Sequence, residues 1–292
     1  MSSEIEPQAS GTNNWDNPTV YVQRVVKQAS TSFYWSMRRL PKPKREAMFA
    51  VYAFCREVDD IADADEDPGE RQARLAIWRG ELVRLYAGRP RHPISQALYL
   101  PIDQFNLRKQ DFYSIIEGME VDSVDRLRIK NIEELTRYCD LVASAVGRLS
   151  IRIFGLDTEV GDRLASEQGQ ALQLTNILRD IKEDADRNRL YIPQDLLFAY
   201  GIESEDLSVI INHENLPEVC EVLSGIVARR FLNARAIIKI CDPVKARPAK
   251  MMMEVYAALF EKIKSRGWGS MPKPVKLSPI DKCWLACRHG IF

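Results

Sequence analysis

The segment from Ala47 to Asp63 constrains the fold more than any other part of the chain, because it is apolar on nearly all sides of a helix. It reads AMFAVYAFCREVDDIAD, and its hydrophobic residues are too many to lie on one face. A helix that is apolar all round is buried among other helices rather than lying on a surface. The segment therefore predicts a multi-helix bundle in which this helix is central.

The rest of the chain also shows helical patterns, with suitable residues where helices begin and end. Asn17-Pro18 and Asp67-Pro68 each supply an N-cap residue followed by proline, and Gly155 is suited to ending a helix. Strand-like alternation is missing, and only 14 of the 292 residues are glycine. After a first helix from Pro18, the predicted helices cover about 42–64, 68–88, 93–104, 108–120, 131–154, 158–184, 206–213, 217–241 and 244–266. The sequence predicts an all-α fold with a single large helical bundle.

Three regions of different composition divide the chain. Residues 1–16 are polar and rich in Ser and Asn, which predicts a disordered leader. Residues 17–270 contain the predicted helical domain. Residues 271–292 form a basic C-terminal tail with lysines, an arginine and aromatic side chains, a composition that suits peripheral contact with an anionic membrane surface. The alternative, an ordinary packed tail with a solvated basic face, is the commoner structure for such a segment.

The overall composition argues against several classes of function. The 41 Lys and Arg residues balance the 41 Asp and Glu residues, whereas nucleic-acid binding proteins normally carry a basic excess. None of the three histidines occurs at metal-ligand spacing, and no Rossmann or P-loop glycine motif is present. No segment resembles a secretory signal or a membrane-spanning helix, so we expect a cytoplasmic protein with no nucleic-acid partner.

Polar residues recur at helical spacing within the apolar segment. Tyr52, Arg56, Asp59 and Asp63 follow one another at intervals of 4, 3 and 4, which places them on one face of the helix. Two like charges on an inward face are unfavourable unless a cation lies between them. The alternative is that this end of the helix turns its aspartates to water.

A second mostly apolar segment, GQALQLTNILRDIKED from Gly169, repeats this arrangement. Its polar face contains Gln173, Asn176, Asp180 and Asp184, at intervals of 3, 4 and 4. The arginines and the tyrosine that accompany it are Arg179, Arg187, Arg189 and Tyr191. Two such helices facing each other would supply oxygen ligands for Mg²⁺, and the arginines suit phosphate oxygens. The pair predicts a site for magnesium and a diphosphate.

Small residues in a third segment leave two alternatives open. Ala143, Ser144, Ala145 and Gly147 either permit close helix packing or leave an apolar cavity beneath the predicted magnesium site. With a cavity, the arrangement suits ionisation of an allylic diphosphate, because metal ions and arginines neutralise the leaving group while apolar walls exclude water. This chemistry needs no nucleophilic side chain.

The motifs that carry these residues resemble the squalene/phytoene synthase family over about residues 18–266. They are SFYWSM from Ser32, YAFCREVDDIAD from Tyr52, and QLTNILRDIKEDADRNRLYIP from Gln173. The resemblance implies an isoprenoid synthase fold with a central apolar cavity. It is greatest to bacterial members of hopanoid biosynthesis, through YCDLVASAVGRLSIRIFG and the stretch from Arg247 to Trp268. One departure is Asn188, where many members carry glycine.

The resemblance also implies roles for individual residues. The metal ligands would be Asp59, Asp63, Asn176, Asp180 and Asp184. Residues that would bind substrate are Ser30, Ser32, Phe33, Tyr52, Arg56, Gln173, Asn176, Arg179, Arg189 and Tyr256. Catalytic residues lining the reaction centre would be Tyr52, Arg56, Tyr138 and Tyr191. The implied cofactor is Mg²⁺, with Mn²⁺ as an alternative ion, and NADPH is not expected.

The implied reaction joins two farnesyl diphosphates head to head (1′-1), releasing diphosphate and forming the cyclopropane of presqualene diphosphate. Three alternatives stay open from the sequence. The chain could be a phytoene or dehydrosqualene synthase, or a full squalene synthase that reduces the intermediate with NADPH. It could also be a catalytically inactive helical assembly factor of the same fold, although the aspartates and arginines of both motifs are intact.

Overall fold

The computed structural model describes residues 17–28, 37–269 and residue 275. The helices within these ranges are α1 (Pro18–Gln28), α2 (Lys42–Ala62), α3 (Pro68–Tyr86), α4 (Pro93–Gln104), α5 (Lys109–Asp122), α6 (Ile132–Cys139), α7 (Ala145–Phe154), α8 (Thr158–Asp186), α9 (Gln194–Ala199), α10 (Leu207–Ile211), α11 (Leu216–Ile240) and α12 (Pro243–Arg266). A π-helical turn, Asp140–Ser144, joins α6 to α7. The prediction of an all-α fold is confirmed.

Two long helices, α2 and α8, lie at the centre of the bundle. The apolar faces of α2 are buried against α1, α4, α5 and α7. Helix α8 begins at Asp157, whose side chain accepts hydrogen bonds from the backbone amides of Glu159 and Val160, and it packs against α7, α11 and α12. Both helices end at the same side of the molecule, because Arg187 after α8 contacts Asp63 after α2. Each therefore carries its aspartates to that end.

The predicted helix over 131–154 is wrong in one respect, because the π-helical turn interrupts it. Close packing accompanies this turn. A Cβ atom on Gly169 of α8 would lie 2.7 Å from the backbone of Ser144, and one on Gly147 would lie 3.0 Å from Ala165. Gly147 also lines an apolar cavity formed chiefly by α2, α7, α8 and α12. The small residues of this segment thus serve both of the alternatives that the sequence left open.

A short sheet, which the sequence pattern did not predict, holds the chain after α8 in place. Strand β1 (Leu127–Arg128) pairs in parallel with β2 (Arg189–Leu190). Asn188, just before β2, has a φ of 58°, in the left-handed region that glycine adopts without strain and asparagine tolerates. Its side chain donates to the Asp125 carbonyl oxygen and accepts from Arg128. These hydrogen bonds explain how asparagine is accommodated in this left-handed conformation.

The remaining differences concern short elements and chain ends. Helix α9 was not predicted, and α10 is shorter than the predicted 206–213. The predicted leader, 1–16, lies outside the described residues, and so does the predicted tail, 271–292, apart from Val275. Among the described residues, no helix combines the length and apolar character needed to cross a membrane.

Candidate active site

A polar pocket of about 170 Å³ lies where the ends of α2 and α8 meet. It brings together most of the polar residues that the two motifs predict. Its lining includes Asp59, Asp63, Tyr138, Gln173, Asn176, Asp180, Asp184, Arg187, Arg189 and Tyr191. Ala62, Asp122, Ile177 and Glu183 complete it. Residues more than one hundred positions apart in sequence therefore share one pocket.

Asp63 is held by two arginines from the segment after α8. Arg189 donates to one of its carboxylate oxygens at 2.7 Å, and Arg187 donates to the other at 2.8 Å. Burial alone would raise the pKa of Asp63, but the two guanidinium groups outweigh it, and the pKa lies below its usual value. Arg189 also donates to the backbone oxygens of Ala62 and Asp122, which fixes it firmly against the end of α2.

The negative charge of Asp59, one turn earlier on α2, is compensated much less by neighbouring arginines. Its neighbour Arg56 lies 3.3 Å away and is also hydrogen-bonded to Asp60. Burial, followed by the negative charge of Asp63, raises the pKa of Asp59 to about 6. Arg56 does not line the polar pocket, and its side chain is 47% exposed. A cation placed between Asp59 and Asp63 would relieve this repulsion.

On α8, too, one aspartate is paired with an arginine and the other is not. Arg179 pairs with Asp180 through two hydrogen bonds, one of them 2.8 Å from Nε to the carboxylate. No arginine or lysine within the described ranges forms an ion pair with Asp184. Burial and the charge of Asp180 raise the pKa of Asp184 to about 7. One carboxylate on each helix is thus neutralised within the chain, and the other is left in excess.

Asp122 is a pocket residue that the sequence analysis missed. It is the last residue of α5 and is 7% exposed. Its carboxylate accepts hydrogen bonds from the hydroxyls of Tyr138, at 2.9 Å, and Tyr191, at 2.7 Å. The two tyrosine rings stack with their centroids 4.9 Å apart. The run FYSIIEGMEVD contains three acidic residues, Glu117, Glu120 and Asp122, and nothing in their spacing distinguishes Asp122 from the other two.

An apolar cavity of about 340 Å³ lies beside the polar pocket. Its lining comes chiefly from α2, α7, α8 and α12 and includes Met48, Val51, Val146, Ile151, Phe154, Leu164, Leu172 and Met252. Tyr52 and Tyr256, both predicted to bind substrate, line this cavity rather than the polar pocket. Gln173 and Asn176 line both spaces, so the polar pocket and the apolar cavity meet at these two side chains.

The side chains present are suited to a divalent ion that is shared with a ligand. No group of three or more His, Cys, Asp or Glu residues in the described part of the chain is close enough to hold a metal by itself. The buried Oδ1 of Asn176 has no hydrogen-bond partner, and two carboxylates carry excess charge. Mg²⁺ prefers a few carboxylates completed by water and phosphate oxygens. The donor set fits such an ion.

Three of the predicted substrate-binding residues are not described by the structure. Ser30, Ser32 and Phe33 lie outside the described residues. The other predicted residues all lie in or beside the polar pocket and the apolar cavity. Arg56 and Arg179 lie beside the pocket through their ion pairs with Asp59 and Asp180.

Comparison with known proteins identifies relatives of similar length. A family model described as squalene/phytoene synthase matches residues 26–281. Presqualene diphosphate synthase from Rhodopseudomonas palustris is 42% identical over 262 residues, covering 89% of this chain and 93% of that protein. The protein of the same name from Sinorhizobium fredii is 40% identical over 263 residues, covering 90% and 94%. A solved dehydrosqualene synthase in complex with a ligand has a TM-score of 0.82 and 25% identity, covering 93% and 95%.

Proposed function

The chain belongs to the squalene/phytoene synthase family, and from this membership and the site geometry we propose that it is a prenyltransferase that forms presqualene diphosphate from two farnesyl diphosphates. One substrate loses its diphosphate, and its C1 bonds to the C2–C3 double bond of the other. Loss of a proton then closes a cyclopropane. The names of the two bacterial relatives support this product, since each covers nearly the whole chain.

The meeting of the polar pocket with the apolar cavity is the observation that carries the proposal. Gln173 and Asn176 line both spaces, so a ligand with a charged head and a hydrocarbon tail would cross between them there. Each buried methylene contributes about 0.8 kcal/mol, so a fifteen-carbon tail contributes on the order of 10 kcal/mol before association costs. The tail therefore supplies much of the binding energy, and the head is positioned for reaction.

The polar pocket would bind the diphosphates through oxygen ligands and guanidinium groups. We propose that Asp59, Asp63, Asn176, Asp180 and Asp184 hold Mg²⁺, with Mn²⁺ as an alternative ion. When bound, the metal supplies positive charge that stabilises the departing diphosphate.

Chain residues around the pocket would complete the binding of the head group and protect the cation. Arg189, Arg179 and Arg56 are positioned in or beside the pocket, where guanidinium groups bind phosphate oxygens in pairs. Tyr52 and Tyr256 present aromatic rings to the cavity, where a carbocation gains roughly 1–2 kcal/mol from a ring face. The apolar walls keep water from the cation.

Product identification tests this proposal. The full chain is incubated with farnesyl diphosphate and Mg²⁺, with and without NADPH, and the products are dephosphorylated and identified. We expect the same cyclopropyl alcohol in both reactions. Squalene appearing only with NADPH would instead indicate the two-step enzyme. A parallel incubation uses geranylgeranyl diphosphate, and turnover of this substrate but not of farnesyl diphosphate would indicate a phytoene synthase. If the folded protein releases no diphosphate from either substrate, its role is non-catalytic.

We also propose that the protein is cytoplasmic and contacts an anionic membrane surface through its basic tail, 271–292. The support is the tail's composition, because basic and aromatic residues together favour an anionic interface. Co-sedimentation with anionic liposomes tests this proposal. The full chain should bind, and a truncation ending at Met271 should remain in the supernatant. Equal binding of both would contradict it.

A further inference from the structure

Asp122 occupies a position that is unfavourable for a structural carboxylate. It is 7% exposed and lies at the last residue of α5, where the helix dipole places partial negative charge. No arginine or lysine side chain of the described residues forms an ion pair with its carboxylate, and Arg189 binds only its backbone oxygen. Burial raises the pKa of Asp122 to about 6, although the hydrogen bonds from Tyr191 and Tyr138 oppose the rise. The two tyrosines are the hydrogen-bond donors to this carboxylate.

The ionised state of Asp122 determines which group donates in these two hydrogen bonds. An ionised carboxylate only accepts, so both tyrosine hydroxyls must donate their hydrogens to Asp122. Each phenolic oxygen then has only lone pairs left for other partners. Both tyrosines line the polar pocket, as Asp122 does. Towards a ligand in the pocket, the tyrosine pair therefore acts as an acceptor.

We propose that Asp122 is a positioning residue that holds the Tyr138 and Tyr191 oxygens as proton acceptors and receives a tyrosine proton when the cyclopropane closes. This inference rests on the proposed function, because it assigns a destination to the proton that ring closure releases. It concerns a residue that neither of the two aspartate motifs contains.

The proton step balances within this group of three side chains. A C–H bond of the carbocation breaks, and its electron pair forms the last carbon–carbon bond of the ring. The proton bonds to one tyrosine oxygen. That oxygen's original hydrogen passes along the existing hydrogen bond to Asp122, which becomes neutral. The tyrosine ends as it began, and Asp122 returns its proton to solvent after product release.

Asp122→Asn is the direct test, because it retains the size of the side chain. The asparagine amide would donate to one tyrosine oxygen, so that tyrosine's own hydrogen would turn away from residue 122. We expect kcat to fall about 100-fold, in the range typical of general-base losses, with KM changed less than threefold. The ratio of presqualene diphosphate formed to diphosphate released should also fall. Ionisation of the first substrate still releases diphosphate, whereas closure of the cyclopropane is impaired.

A matched control lies on the same helix. Asp111 is also buried, its side chain is 4% exposed, it pairs with Arg148, and it lines neither the polar pocket nor the apolar cavity. Asp111→Asn should lower the melting temperature through loss of this pair and leave the product ratio unchanged. If both variants lower stability but only Asp122→Asn changes the product ratio, a purely structural role for Asp122 is excluded.

A double-mutant cycle decides whether Asp122 acts through the tyrosines. Adding Asp122→Asn to the Tyr138→Phe/Tyr191→Phe chain should reduce kcat no further, because the hydroxyls it positions are gone. A further loss equal to that in the wild-type background would overturn the proposal, and so would wild-type kcat in Asp122→Asn. If Asp122→Asn does not fold, the tyrosine variants decide alone: unchanged kcat and product ratio in both single variants and the double variant would overturn it. Absence of diphosphate release by the wild-type chain would instead refute the proposed function.

Discussion

The aspartate pairs of α2 and α8 have the same spacing, but arginines neutralise the second aspartate on α2 and the first aspartate on α8. On α2 the second aspartate, Asp63, is held by two arginines, whereas Asp59 has a raised pKa. On α8 the first aspartate, Asp180, is held by Arg179, and the pKa of Asp184 is raised to about 7. Each helix therefore keeps one carboxylate neutralised by arginine and leaves the other with less charge compensation.

This inequality explains how four aspartates can share one pocket. The neutralised carboxylates cost little when the chain folds, because their arginines are built in. The other two, Asp59 and Asp184, are less fully compensated, and in our proposal they supply the attraction for a cation. Of the arginines that hold Asp63 and Asp180, Arg187 and Arg189 line the polar pocket and Arg179 lies beside it, where guanidinium groups would contribute to binding a diphosphate. The two pairs therefore line one pocket rather than two separate acidic surfaces.

Removing one carboxylate from either helix should produce the largest effect. We expect Asp59→Asn and Asp180→Asn each to lower kcat at least about 1000-fold, because both helices are needed to stabilise the departing diphosphate. Each variant should keep the wild-type circular dichroism spectrum. A steady-state assay of diphosphate release measures the effect, and full activity in either variant would show that its aspartate is not a metal ligand.

The two arginines on Asp63 should differ sharply in their effect on stability. Arg189 is 11% exposed and bonds to two backbone oxygens as well as Asp63, whereas Arg187 is 50% exposed. We expect Arg189→Gln to lower the free energy of unfolding by about 2 kcal/mol, allowing for the partial exposure of Asp63. Arg187→Gln is the matched control and should cost less than about 0.5 kcal/mol. Equal losses in urea denaturation would contradict the difference.

Asp184→Asn should abolish function yet stabilise the metal-free protein. Its folded-state pKa of about 7 lies above the ordinary value of 3.8, so ionisation of Asp184 destabilises the fold as pH rises through this range. At pH 8 we expect the free energy of unfolding in EDTA to increase by about 2 kcal/mol. This is roughly half the free energy to which the whole pKa difference corresponds, because Asp184 is partly exposed and solvent screens its charge. The gain should disappear near pH 4. Asp63→Asn should do the opposite and lower stability at pH 8.

A stabilising effect of Asp184→Asn that is equally large at pH 4 and pH 8 would contradict the electrostatic explanation. It would mean that the carboxylate is unfavourable because of its size or packing rather than its charge.

The spacing of the aspartates allowed both pairs to be predicted, since intervals of three and four residues place side chains on one helix face. It also allowed the apolar central helices and the all-α fold to be predicted. The partners of the aspartates could not be predicted in the same way. Arg187 and Asp63 are 124 residues apart, and only the packed bundle shows which arginine meets which carboxylate.

Other parts of the site depend on packing details that a single sequence does not contain. Asp122 has no periodic partner on α5, so its tyrosines become evident only in the folded chain. The β1–β2 pairing has two residues in each strand, too few for an alternation pattern to show. The π-helical turn likewise lies where Gly169 of α8 closely approaches Ser144, a contact between segments that are separate in the sequence.

Calorimetric titration of inorganic diphosphate tests most directly whether the two aspartate pairs form one metal-dependent site. The full chain is titrated with and without Mg²⁺, alongside Asp59→Asn from one helix and Asp184→Asn from the other. We predict binding only in the presence of Mg²⁺, and loss of binding in both variants. Mg²⁺-dependent binding that survives in either variant, or equal binding without Mg²⁺, would contradict a single site shared between α2 and α8.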